Sequence, residues 1–164
     1  MNTSPFVILT SITAILSAVA SGMMYVFSTF VMRGLDRTGP LDALTAMRGI
    51  NTEANSNAAF LLTYFGATIL ALVVGVIAVI QLRQPGSAWL LAGAVFAILG
   101  AIITMAFNVP LNNHLDTLNP VGLSPADAAR EWQAYFSTWT AWNHARSATG
   151  VIGAALMLLG LRYR

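Results

Sequence analysis

The sequence predicts an all-α fold, an integral membrane four-helix bundle in which two longer loops on one side form a lid. Three observations lead to this prediction: the chain is 57% hydrophobic, only 9% of its residues are charged, and the apolar residues fall into four long runs. Soluble domains usually carry about a quarter charged residues. Each run is near or above the ~20 residues that a helix needs to cross ~30 Å of hydrocarbon. Away from water, a spanning segment must satisfy its own backbone hydrogen bonds, so helices are expected.

The predicted helices cover about residues 5–32, 57–82, 87–107 and 125–161 of a single domain, residues 1–164. The second and third are joined by the short stretch "RQPGS", whose Pro-Gly pair ends one helix and lets the next return. These two helices should form an antiparallel hairpin. The two longer connections then emerge on the same side of the bilayer, where they can cover one end of the bundle.

Both long connections carry helix signals of their own. In the first, Pro40 stands at a helix start and apolar residues follow at helical spacing, which predicts a short helix on the membrane surface. In the second, Ser124 is in the N-cap position, Pro125 is in the first helical position and Asp127 is in the capping-box position. A helix from Pro125 to the end of the last run would be about 55 Å long at 1.5 Å per residue. Its first turns should therefore stand above the membrane.

The composition excludes several classes of function. The chain has no cysteine, which excludes disulfides, thiolate metal ligands and redox cysteines. The chain has eight arginines and no lysine, and the arginines are scattered without a basic tract, so we expect no nucleic-acid partner. Four helices without an internal repeat offer little for the alternating access of a transporter.

The last helix carries its unusual residues on one face, as a projection at about 100° per residue indicates. That face comprises Trp132, Tyr135, Trp139, Trp142, Asn143, Arg146, Gly150 and Gly153. Tryptophan and tyrosine near a helix start are typical of an interfacial aromatic belt. Arg146 lies several turns deeper, where an arginine normally faces the bundle interior or a wet cavity. We therefore expect a cavity along this face that closes below Arg146, where small residues let helices approach.

Polar groups from the other helices can complete such a cavity. Asn108 and Asn112 lie four residues apart around Pro110, which predicts either an ordinary helix stop or a polar rim at the end of the third helix. Glu53 is a candidate counter-charge for Arg146, although its position favours a solvated loop carboxylate. Tyr25, in a stripe of small residues on the first helix, can project its hydroxyl from the opposite wall.

Three motifs together resemble the anthrone oxygenase-like family of small four-helix membrane proteins: "IN.....N..F", "FNVPLNNHL" and "W..Y...W..WNHAR". The resemblance covers nearly the whole chain and implies oxidation of a flat polycyclic aromatic, an anthrone, to a quinone with molecular oxygen. Fold or family likeness alone is an associational argument for chemistry. One departure is "VMRGL" after the first helix, where the family pattern has "VMPAL", so the charge and shape of the lid differ.

The chemistry implied by the resemblance assigns roles to the candidate residues. An anthrone anion can pass an electron to oxygen without a metal, so we expect neither cofactor nor metal. The catalytic candidates are Arg146 and Asn143, with His144 or His114 as the base. The substrate-binding candidates, which supply stacking faces or hydrogen bonds, are Trp139, Trp142, Tyr135, Asn108, Asn112, Trp132 and Tyr25. His144 projects away from the Arg146 face, and spacing does not choose between the histidines and Glu53.

Two other functions remain compatible with the sequence. The two histidines with Glu53, Asp116 or Glu131 would supply the ligands of a facial metal triad, although no helix carries an HxxxH or ExxH pattern. In a different class, the chain is a non-catalytic membrane module that binds a lipid, a quinone-like ligand or a protein partner. We expect a multi-pass protein of a bacterial inner membrane, with the bilayer, an apolar aromatic substrate and oxygen as partners, and with a homo-oligomer possible through the first helix.

Overall fold

The computed structural model describes residues 4–164, so the first three residues of the predicted domain lie outside the described part. The described chain forms five helices: α1 (Pro5–Asp36), α2 (Pro40–Ser56), α3 (Ala58–Ile80), α4 (Ser87–Thr117) and α5 (Pro125–Arg162). All of them except α2 are long and apolar enough to cross a membrane. The predicted all-α membrane bundle is therefore confirmed.

Two spanning helices continue beyond their predicted ends because each contains a π-helical turn. The turn in α1 covers Phe27–Val31 and the turn in α4 covers Thr104–Asn108. In α4 the amide of Val109 bonds to the carbonyl of Thr104, five residues back. Such a widened turn absorbs one extra residue, and Pro110 follows directly, at a position where its missing amide does not stop the helix. The sequence "FNVPLNNHL" is thus a continuous helix rather than the predicted helix stop.

The predicted lid is present, but it is mostly helical. Helix α2 begins at Pro40 as predicted and runs to Ser56, and the last turns of α4 and the first turns of α5 pack beside it. The buried residues of this cap are Met32, Ala43, Leu44, Met47, Leu115, Ala128, Trp132, Tyr135 and Trp139. The predicted N-cap of α5 also forms, since the Ser124 hydroxyl oxygen accepts the amide of Asp127 at 3.2 Å. The apolar core of the cap fixes the upper end of the bundle above the spanning segments.

The opposite half of the bundle is packed through small residues. Helix α5 contacts α4 and α1 more extensively than any other pair of helices. At the α4–α5 crossing, a Cβ added to Gly153 would lie 2.8 Å from the carbonyl oxygen of Gly93 and 2.9 Å from the amide of Ala97. The two backbones are therefore in direct contact there, as small residues permit in membrane helices.

Candidate functional site

A cavity of about 120 Å³ lies beneath the cap, and all five helices contribute to its wall. The side chains around it are mostly apolar and aromatic, with a few amide, hydroxyl and guanidinium groups. The wall of this aromatic cavity comprises Met24, Phe27, Met47, Ile50, Asn51, Ala54, Asn55, Phe60, Leu61, Tyr64, Phe65, Thr104, Met105, Val109, Asn112, Trp139 and Arg146. Phe65 and Met105 are also 45% and 56% exposed on the outer surface of α3 and α4. Both side chains therefore belong to the cavity wall and to the outer surface, so the gap between them is the candidate mouth on the side of the bundle.

Arg146 closes the lower end of the aromatic cavity and is only 8% exposed. Its Nε donates to Asn143 Oδ1 at 2.7 Å and its Nη1 donates to Thr104 Oγ1 at 3.2 Å. The guanidinium carbon lies 5.1 Å from the centroid of the Trp139 ring, within cation–π range. Within residues 4–164 neither of the two ion pairs involves Arg146. Among the described residues its hydrogen-bond partners are therefore neutral, and its charge is available to an anionic group of a ligand.

Asn143 holds the guanidinium group of Arg146 in position. Its Nδ2 donates to the carbonyl of Met24 and to Ser28 Oγ, both at 2.6 Å, which leaves Oδ1 directed at the guanidinium. Met24 precedes the π turn of α1 and Ser28 lies within it. Thr104, the other partner of Arg146, opens the π turn of α4. The two π turns thus meet α5 at the level of its buried arginine, and π turns are frequent at functional sites.

Asn112 organises the aromatic wall on the cap side. Its Oδ1 accepts the hydroxyl of Tyr135 at 2.9 Å and the Nε1–H of Trp139 at 2.8 Å. Asn108, one turn earlier, donates from Nδ2 to the carbonyl of Trp139 at 3.2 Å. Helix α4 therefore holds Trp139 by both its ring and its backbone. Of the rings held in this way, Trp139 alone faces the aromatic cavity, while Tyr135 lies behind it.

A match to the family model for anthrone oxygenase covers residues 59–156, more than half of the chain. The chain belongs to the anthrone oxygenase family. No curated protein and no solved structure matches it. The matched range spans α3, α4 and most of α5, and so includes the arginine, the tryptophan and the amides described above. The family match thus covers the arginine side of the cavity, while α1 and α2, which complete the wall, lie outside the matched range.

Several predicted site residues of this family member lie away from the cavity. His144 is exposed on the outer face of α5, as its projection predicts. His114 is exposed in the last turn of α4 rather than in a loop, and it pairs with Glu131 at 3.0 Å. Glu53 is exposed on α2 and does not pair with Arg146. None of the three groups considered as the base reaches the aromatic cavity.

Besides Tyr135 and Asn108, three further predicted substrate-binding residues lie outside the cavity wall. Tyr25 is 58% exposed because α1 buries the neighbouring stripe that contains Met24, so the prediction that it lines the cavity is wrong. Trp142 stacks on Phe107 with 3.6 Å between ring centroids and is not part of the wall. Trp132 is fully buried in the cap, where its Nε1 donates to Asp36 Oδ1 at 2.7 Å. Trp132 therefore supports the cap instead of contacting a ligand.

The structure adds polar wall residues that the sequence analysis did not identify. Tyr64 of α3 forms a hydrogen bond with Thr104 Oγ1 and lies at the cavity wall. Asn51 of α2 is 4% exposed, and its Nδ2 has no hydrogen-bond partner among the described residues. The signal for Tyr64 is a tyrosine inside an otherwise apolar run, because polar residues within spanning segments are commonly functional. Asn51 lies on α2, outside the spanning segments.

A second, smaller space of about 30 Å³ lies on the other side of Arg146. Met24, Tyr64 and Arg146 border both spaces. This inner chamber is otherwise surrounded by Ser17, Ala20, Ser21, Ala67, Thr68, Ala97, Gly100, Ala101 and Gly150. The guanidinium group therefore stands between a larger aromatic space and a small space lined by alanines, glycines and hydroxyls.

The described residues contain no group of three or more histidine, cysteine, aspartate or glutamate side chains that could hold a metal ion. In particular, the two histidines that the triad hypothesis would combine lie apart, one in an ion pair at the end of α4 and one on the outer face of α5. The triad that the sequence left open is therefore not assembled in the described chain.

Proposed function

We propose that this protein oxidises an anthrone-like polycyclic aromatic to a quinone with molecular oxygen in the aromatic cavity, without a bound cofactor. The observation that carries the proposal is Arg146, a buried cation without a carboxylate partner at the end of an aromatic-lined space. Membership of the anthrone oxygenase family supports the same class of chemistry.

Binding of the substrate follows from the groups on the wall. A flat apolar ring system can pack against Trp139 and the apolar side chains, since aromatic pairs favour stacked or edge-on contacts. The oxygen of the deprotonated substrate can pair with Arg146, and such a pair is stronger in a water-poor site than in water. A hydroxyl or carbonyl at the other end can accept from the unpartnered Nδ2 of Asn51. Arg146 and Asn51 would thus orient the ring.

The reaction balances with dioxygen as the only oxidant. Loss of one methylene proton gives the substrate anion, which passes one electron to dioxygen to form a carbon radical and superoxide. Their recombination and protonation give a hydroperoxide at that carbon. Loss of the remaining hydrogen on the carbon, with cleavage of the O–O bond, releases one water and leaves the new carbonyl. Arg146 contributes by stabilising the substrate anion, from which the electron departs.

The wall contains no histidine and no carboxylate, so another group must accept the first proton of the substrate. The substrate is weakly acidic, and pairing with Arg146 favours its anion, so water at the mouth can accept the proton. Asn143 acts as a positioning residue, since its bonds to Met24 and Ser28 hold the acceptor that aims the guanidinium. The proposal therefore assigns no catalytic role to His114 or His144.

The mouth between Phe65 and Met105 suggests how an apolar substrate arrives. Both residues lie on helices that are long and apolar enough to span a membrane. A polycyclic aromatic concentrates in hydrocarbon, so it can enter sideways from the bilayer. We accordingly propose a multi-pass protein of a bacterial inner membrane that takes its substrate from the lipid phase.

Oxygen uptake by purified, metal-analysed protein in detergent tests the proposal. The substrate is an anthrone such as emodin anthrone, and the spontaneous rate without protein is subtracted. We expect uptake above the spontaneous rate, one quinone formed per oxygen consumed, and a rate that does not follow metal content. Uptake that follows bound metal would contradict the cofactor-free mechanism. Saturable binding of the anthrone without uptake would identify the chain as the non-catalytic binding module instead.

A further inference from the structure

The inner chamber contains a hydroxyl group without a partner. Ser17 is 4% exposed, and its Oγ forms no hydrogen bond among the described residues. Three other hydroxyls of α1, on Thr10, Ser11 and Thr13, each donate to the carbonyl four residues back. Ser17 borders the chamber instead of forming this local bond. Buried polar groups in native proteins are nearly always paired, so this one calls for a partner inside the chamber.

The size of the chamber limits what that partner can be. A cavity needs roughly 10–15 Å³ of this kind of space to hold one water molecule, and the chamber has about 30 Å³. It therefore admits two or three water-sized particles and is too small for an aromatic ring. Apart from Met24, Tyr64 and Arg146, the wall is made of small residues, chiefly alanine, glycine and serine.

The charge around the chamber favours an anion. Arg146 borders it, and no aspartate or glutamate is among the lining residues. The bonded partners of Arg146, Asn143 and Thr104, are neutral. A buried cation without a counter-charge is costly in a membrane interior, and an anion placed beside it regains much of that cost. Ser17 supplies a hydroxyl donor that can complete the coordination of such an anion.

We propose that the inner chamber is a binding site for a small monovalent anion and that, during turnover, this anion is superoxide. The second part rests on the proposed function. One electron leaves the substrate anion in the aromatic cavity and reduces dioxygen in the chamber, so the guanidinium lies between the donor and the acceptor. Superoxide then passes Arg146 into the adjoining aromatic cavity, where its oxygen forms the C–O bond with the substrate radical, and no oxidant besides dioxygen is consumed. Arg146 thus serves both spaces, and Ser17 orients the oxygen species.

Azide is a suitable probe because it is a small monovalent anion with an infrared band that shifts on binding. The first measurement is the infrared spectrum of wild-type protein with azide and without aromatic substrate. We expect a shifted band that saturates with azide. In the oxygen-uptake assay, azide should compete with dioxygen and not with the anthrone.

Matched variants locate the bound azide. Ser17→Ala should weaken azide binding about tenfold or more, as expected when a hydrogen bond to a charged group is lost, and should raise the KM for oxygen more than it lowers kcat. Ser17→Thr keeps the hydroxyl and should retain the band. Ala67→Leu fills the chamber from α3 and should remove the band, whereas Ala59→Leu, on the exposed face of the same helix, should not.

The outcomes separate this proposal from the proposed function. No shifted band in wild-type protein that turns over the anthrone would overturn the anion site and leave the oxygenase intact. A band that is unchanged in both Ser17→Ala and Ala67→Leu would place azide elsewhere and also overturn the site. A Ser17-dependent band in protein that consumes no oxygen would support the anion site while refuting superoxide as its occupant together with the proposed function.

Discussion

The two halves of α5 belong to one continuous helix but carry different residues on their inward faces. In the upper half, the inward face carries Trp139, Asn143 and Arg146, whose hydrogen bonds hold large side chains apart around open space. In the lower half, the inward face carries Gly150, which lies against the Ser21 side chain, and Gly153, where α4 approaches to backbone contact. The comparison shows that the cavity depends on polar bonds from α1 and α4, while the packing below it depends on the absence of side chains.

The largest effect on the upper half should follow from Asn112→Ala. The change leaves the Tyr135 hydroxyl and the Trp139 Nε1–H without their acceptor in a buried region. Each unsatisfied group costs about 1–3 kcal/mol. We expect a lower unfolding temperature in detergent and a raised KM for the anthrone, because Trp139 is no longer held. Asn113→Ala, at the exposed neighbouring position, is the control and should change neither quantity.

In the lower half, Gly153→Ala should destabilise the bundle by about 1–3 kcal/mol, the usual range for overpacking. The new Cβ would meet backbone atoms of Gly93 and Ala97 that cannot move independently. Thermal unfolding measures the loss. Gly66→Ala is the matched control, because a Cβ there has nothing within 4 Å. Equal unfolding temperatures for the two variants would contradict the close contact of α4 with α5.

Labelling the mouth tests whether the open half is the functional half. The chain has no cysteine, so Met105→Cys can be modified selectively with a bulky maleimide. We expect the modified protein to lose oxygen uptake severalfold, because the label blocks the entrance beside Phe65. Val95→Cys, similarly exposed at 53% but on the lower part of α4, should retain full uptake after the same treatment. Equal loss at both positions would rule out this entrance.

The smallest effect is expected from the histidines. His114→Phe and His144→Phe change exposed groups outside the aromatic cavity. Each variant should keep the wild-type kcat and KM for the anthrone in the oxygen-uptake assay. A large fall in kcat for either one would mean that a histidine acts as the base and that the proposed route of the proton is wrong.

The fold was predictable because its main signals are local. Four long apolar runs, the Pro-Gly turn and the Ser124 cap predict the bundle and its hairpin. The continuation of α1 and α4 was not predictable from these signals, because a π turn adds one residue without a recognised motif and lets α4 continue through Pro110. The ends of α1 and α4 were therefore predicted as parts of the long connections, although they are helical.

The candidate site was predictable only in part, because some of its residues are placed by contacts between helices and not by local sequence. Arg146, Trp139 and Asn112 face the cavity, and the arginine was identified because a deep charge in an apolar helix must face a partner or a space. Tyr25 was misplaced because α1 has two adjacent stripes of small residues, and contact with α5 decides which of them is buried. Tyr64 and Asn51 were missed because their positions at the wall depend on how α2 and α3 meet.

Comparison of Arg146→Leu with Arg33→Leu tests the central claim most directly. Both changes remove one arginine, but Arg33 is exposed near the end of α1, whereas Arg146 separates the two spaces. Quinone formation and oxygen uptake are measured on variants that elute as folded protein. The account predicts that Arg146→Leu loses about 10²–10³-fold in kcat, as for removal of one preorganised anion-stabilising donor, while Arg33→Leu stays near the wild type. Full activity in folded Arg146→Leu would contradict the account, because Arg146 would then be a structural residue only.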